Sequence, residues 1–173
     1  MALTVLALVV GGFIGLCTGG RPRYVAQHQV RAWWLLLLGV ALEVAAARLD
    51  LGGPGPGNAA VMLGYGCLLA FAAFNRSLVG MGIVAVGLAA NALVIGINGG
   101  MPVRPTAVAA AHVDYGRLHH REGPGDQLSW LGDVIPVRRL HVVVSFGDLI
   151  LAVGVADVVA HLLHRRRREV VTA

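Results

Sequence analysis

Five stretches of this chain are long and apolar enough to call for hydrocarbon around them, and nearly every charge lies in the gaps between. Crossing a bilayer core takes about 20 apolar residues at 1.5 Å rise each. Runs of that order fall at about 2–18, 32–47, 59–74, 78–97 and 142–163. Charged residues make up only 13% of the chain and hydrophobic ones 57%, whereas a soluble domain carries about 25% charged residues. These features predict an all-α, polytopic integral membrane protein of about five transmembrane helices. The 173 residues form a single membrane domain, 1–173, with one long outer loop over 99–141.

The basic residues, all arginine, argue for orientation rather than for nucleic acid. They sit at the ends of apolar runs instead of interleaving with aromatics on a polar face. Arg21, Arg23 and Arg31 lie between the first two runs, Arg76 between the third and fourth, and Arg165 to Arg168 after the fifth. With five crossings these segments share one side, which the positive-inside rule makes the cytoplasm; Arg104, Arg117, Arg121, Arg138 and Arg139 of the outer loop oppose this but are diluted by Asp114, Glu122, Asp126 and Asp133. A multi-pass plasma-membrane protein with its N-terminus outside and C-terminus cytoplasmic is expected, and its partners are the lipid bilayer and other membrane subunits. The first run lacks a basic n-region and an A-x-A-like site, so a retained helix is expected rather than a cleaved signal. Cys17 and Cys67 fall in apolar runs and read as small core residues. Gly11, Gly15 and Gly19, and likewise Gly96 and Gly100, repeat at four-residue spacing and read as helix-packing faces.

Polar side chains inside apolar spans are costly and are functional candidates by default. Glu43 and Asp148 each fall roughly 7–8 Å below the outer boundary, and Asn91 lies two turns below Asn98 on nearly the same face. The set predicts an outward-facing polar pocket floored by Asn91 and flanked by Glu43 and Asp148; the alternative is plain helix-to-helix hydrogen bonding. Gly132-Asp133-Val134-Ile135 is echoed by Gly147-Asp148-Leu149-Ile150. Two carboxylates at one level could share a proton and work as general acid and base. Asp133 and Asp148 are therefore the candidate catalytic pair, with Asn91, Asn98, Gly99, Glu43 and Ser145 as binding residues. The histidines His112, His119, His120 and His141 lack metal-ligand spacing and read as surface-loop residues. No metal and no cofactor is expected. Asp157 and His161 are spaced as a local helix pair.

The segments Asn98-Gly-Gly-Met-Pro-Val103, Leu131-Gly-Asp-Val-Ile-Pro136 and Ser145-Phe-Gly-Asp148 resemble an uncharacterised bacterial family of polytopic membrane proteins, a domain of unknown function. The resemblance implies the membrane class and marks Asn91, Asn98, Gly99, Gly100, Pro102, Asp133, Pro136, Ser145 and Asp148 as characteristic positions, without an activity. Asn98-Gly-Gly100 and the Asp148 segment are also loosely similar to lipoprotein signal peptidase, although the Gly-Asn-x-x-Asp-Arg motif of that family is absent. That similarity implies an aspartyl-dyad membrane hydrolase. The reading from the residues alone is a membrane protein of unknown activity, a non-catalytic accessory subunit of a membrane complex, with the hydrolase as the alternative.

Overall fold

A computed structural model describes residues 2–48, 56–113 and 119–165. Residues 51–55 of the Pro/Gly-rich stretch between the second and third apolar runs, Asp114 and Arg117 of the 99–141 segment, and Arg166 to Arg168 lie outside the described residues. The elements run α1 (Ala2–Cys17), α2 (Trp33–Arg48), α3 (Pro56–Phe74), α4 (Met81–Asn98), β1 (Met101–Val103), α5 (Pro105–Ala111), β2 (His119–Arg121), β3 (Ile135–Val137), β4 (Val142–Val144) and α6 (Phe146–Leu162). Single turns of tighter helix cover Pro22–Gln27, Ser129–Leu131 and Arg138–Leu140.

The five-span all-α expectation is corrected here. Among the described residues only α4, Met81–Asn98, is long and apolar enough to cross a membrane; Leu3–Cys17 and Ala59–Phe74 are shorter apolar helices. The physical reason is length. α1 and α2 have 16 residues each, and at 1.5 Å per residue such helices reach only about 24 Å against a core of about 30 Å. The last apolar run loses its first residues to β4, because Val142–Val144 is a β-branched triplet, and α6 starts at Phe146 with 17 residues. α4 is itself 44% buried inside the bundle, as a central helix of any fold could be. The 99–141 segment is not a plain loop. It folds into a parallel β1–β2 pair, an antiparallel β3–β4 pair and the short α5.

The five long helices make their main contacts in the order α1–α6–α4–α3–α2, so α6 sits between α1 and α4. Small residues set these distances. α1 turns Ala7, Gly11 and Gly15 inward at four-residue spacing, and a Cβ on Gly11 would strike the Ala156 carbonyl, one on Gly15 the Leu163 side chain and the Ala160 backbone. The opposite side of α6 lies as close to α4, where a Cβ on Gly154 would meet the Val84 nitrogen at 2.6 Å and one on Gly87 the Leu151 nitrogen at 2.6 Å. Gly39 and Gly64 bring α2 and α3 together in the same way. Gly11 and Gly15 therefore act as the packing face expected, whereas Gly19 faces open space at φ +92°. Cys67 is buried as expected and Cys17 is exposed.

Both ends of the bundle carry arginines, but in the 99–141 segment Arg104, Arg121, Arg138 and Arg139 are accompanied by Glu122, Asp126 and Asp133. The Arg21 N–H donates to the Leu163 carbonyl at 2.6 Å, and the Arg31 backbone is held by Asn75 at the end of α3, so Arg21, Arg31, Arg76 and Arg165 gather at one end. The β pairs and α5 occupy the other.

Because the α1–α6 contact leaves no room for a methyl group at Gly11, Gly11→Ala should lower stability by about 1–3 kcal/mol through overpacking. Gly12, whose Cβ would meet nothing, should tolerate alanine. Parallel thermal melts of the two variants of the purified protein check this contrast.

Candidate functional site

α6 begins with a reciprocal cap that the sequence encodes as Ser145-Phe-Gly-Asp148. The Ser145 hydroxyl accepts from the Asp148 N–H at 3.0 Å, and the Asp148 carboxylate accepts from the Ser145 N–H at 3.1 Å through Oδ2. A Ser N-cap satisfied this way removes two orphan amide donors from the first turn. The other carboxylate oxygen, Oδ1, accepts from Asn91 Nδ2 of α4 at 2.7 Å. The Asn91 Oδ1 in turn accepts from the Ser145 hydroxyl at 2.9 Å. Ser145 is 0% and Asn91 2% exposed while Asp148 is half-buried, and this closed ring ties α6 to α4. Gly147 is glycine for a local reason, because the Asn91 Oδ1 lies where its Cβ would be.

Two more polar side chains face the ring. The Tyr65 phenol of α3 interacts with Asn91 and lies within electrostatic reach of Glu43 and Asp148. Glu43 of α2 lies within reach of Asp148, and its Oε1 is buried with no hydrogen-bond partner among the described residues. The structure thus brings together Glu43, Asn91, Ser145 and Asp148, four of the residues singled out from sequence. Tyr65 was missed; its only signal was a phenol inside an apolar run.

Asp133 belongs to a different hydrogen-bond system. Its N–H donates to the Pro102 carbonyl at 3.0 Å and its carbonyl accepts from Arg104 at 3.0 Å, a parallel bridge on the edge of β1 opposite β2. Asp133 is 5% exposed, and its carboxylate pairs with His119 of β2 at 3.3 Å, so His119 lies at the surface as expected but on a strand and with a partner. Burial raises the Asp133 pKa and Asp148 adds to that, while His119 offsets part of it. His120 pairs with Asp126 at 2.9 Å. Burial raises the Asp126 pKa, but the Gly123 N–H and His120 outweigh it and leave that carboxyl below its ordinary value. Asp157 and His161 form the expected helix pair at 3.0 Å.

Asn98 and Gly99 stand apart from the ring. Asn98 Oδ1 accepts from the Gln127 N–H at 2.8 Å and its Nδ2 donates to the carbonyls of Gln127 and Val94 at 2.8 and 2.9 Å. Gly99 ends α4 in the left-handed region at φ +70°. The three motif segments nevertheless form one structure. Met101–Val103 is bridged by Asp133 of the second motif, Ile135–Val137 pairs with Val142–Val144, and that strand leads into Ser145 and Asp148.

The chain belongs to DUF5317, a family of unknown function, whose match covers residues 27–160. This agrees with the uncharacterised family expected from the motifs. No curated protein and no solved structure matches the chain, so the similarity to lipoprotein signal peptidase gains no support.

Two outcomes follow. Ser145→Ala removes the cap and strands the Asn91 oxygen and should cost about 1–3 kcal/mol, with Ser145→Thr retaining most of the stability in denaturant titrations. Asp133 holds its proton more tightly in the folded state than in the unfolded one. Its contribution is therefore most favourable below the ordinary carboxylate pKa of about 4 and declines as pH rises through that value toward the raised folded one. Melting temperatures measured across that range should show a shallower decline in Asp133→Asn than in the parent.

Proposed function

We propose that this protein is a non-catalytic, membrane-resident subunit whose exposed helix faces lie against lipid and the helices of a larger membrane complex. The observation that carries this is α1. It has no charged residue, yet Val5, Leu6, Leu8, Val9, Phe13 and Leu16 are exposed. A helix that is apolar all round has to be covered by protein or hydrocarbon. Extensive exposed apolar surface marks an interaction or membrane face, and α2 at the other end of the helix order presents Leu36, Leu37 and Leu38 in the same way. Trp33 and Trp34 near the arginine-rich end and Trp130 near the opposite end are all more than half exposed, the placement favoured by aromatic side chains at the two headgroup levels. With α4 as the crossing helix, its Met81 end faces the cytoplasm and the 99–141 segment faces outward.

A structural role for the polar ring supports the non-catalytic part. An aspartyl hydrolase would need Asp133 and Asp148 turned to one water. Both oxygens of Asp148 are instead committed to Asn91 and Ser145, and Asp133 is engaged by His119.

Membranes from expressing cells, washed in alkaline carbonate, test the residence. The chain should stay in the pellet and be released by detergent alone; release into the carbonate supernatant overturns the reading. Purification in mild detergent should retain a stoichiometric membrane partner, and a clean monomer with undiminished stability argues against the subunit role.

A further inference from the structure

The arginine end of the bundle carries an open cleft of about 1,760 Å³ that the polar ring does not use. Arg31, Arg76 and Arg165 line it, and all three are exposed. Among the described residues none of them is paired with a carboxylate. The acidic residue on the lining is Asp157, which His161 holds at 3.0 Å. The cationic floor meets an apolar wall that includes Ile14, Phe74 and Val79, exposed by 47%, 58% and 54%.

One buried amide brings the Arg31 main chain next to the residue that precedes Arg76, and both arginines line the same cleft. Asn75, 1% exposed, accepts from the Arg31 N–H and donates to the Arg31 carbonyl, both at 2.8 Å, and donates to the Phe71 carbonyl at 2.8 Å. Arg76 is its chain neighbour. This buried side chain fixes the Arg31 main chain against the end of α3, one residue from Arg76, and among the described residues neither guanidinium has a carboxylate partner. Such groups favour bidentate pairing with phosphate oxygens. Paired cations beside exposed apolar side chains fit a ligand with a phosphate at one end and hydrocarbon at the other. We infer that this cleft binds the phosphate headgroup of an anionic phospholipid, with its acyl chains along the apolar wall. This goes beyond membrane residence, since a protein can sit in lipid with no headgroup preference.

The test is native mass spectrometry of the full chain in detergent micelles carrying equal amounts of phosphatidylglycerol and phosphatidylcholine. Phosphatidylglycerol should be retained preferentially. At roughly fivefold per arginine, Arg31→Gln with Arg76→Gln should reduce that preference about 25-fold. Because Asn75 holds the Arg31 main chain, these changes should leave the thermal melt unaltered. Arg138→Gln with Arg139→Gln, which removes equal charge at the opposite end, should leave the preference unchanged. Equal retention of the two lipids, or an equal loss in the Arg138/Arg139 variant, overturns the inference. Displacement of the lipid by millimolar inorganic phosphate also overturns it, making the cleft a site for a free anion. The micelle assay does not depend on where the chain resides, so its failure is distinct from release in the carbonate wash.

Discussion

The close seating of α6 between α1 and α4 is the constraint on which the rest of the structure depends. Contact this close rests on backbone approach at small residues and on interhelical hydrogen bonding. α6 uses both. Gly147 and Gly154 let it meet α4, and Ala156 and Ala160 meet the glycines of α1. Only at that separation can the Asn91 amide reach the Asp148 carboxylate and the Ser145 hydroxyl together. A cap that would otherwise concern one helix end therefore becomes an interhelical clasp.

A second device appears twice, at opposite ends of the bundle. Asn75 at the end of α3 and Asn98 at the end of α4 each donate to the carbonyl four residues back and grip both backbone groups of a distant residue, Arg31 and Gln127 respectively. In both cases the next residue, Ala32 at φ +49° or Leu128 at φ +52°, is left-handed, and a helical turn begins after it. A left-handed non-glycine residue is strained. The amide grip offsets that strain where the chain must turn into a helix.

Much of the helical layout was legible in the hydropathy pattern. The runs at 32–47, 59–74 and 78–97 lie close to α2, α3 and α4. The convergence of Glu43, Asn91 and Asp148 followed from their similar depths. Length in ångströms was harder to see, because an apolar run counts strand and cap residues as helix, as Val142 to Ser145 did. The segment 99–141 was opaque because its strands have three residues each, and their register comes from distant partners rather than local pattern. Asp133 lies on a strand edge and Asp148 in the first turn of a helix, so identical dipeptides serve different backbones.

The order of helix contacts also bears on how the chain is made. α1 emerges first, but the helix it packs on is α6, with Gly11 waiting for Ala156. At translation rates of about 5–20 residues per second, that interval lasts roughly 7–30 s. Throughout it the most apolar helix of the chain has no native neighbour. The α1 face that carries Gly11 and Gly15 therefore stays uncovered by its native partner until α6 has been made.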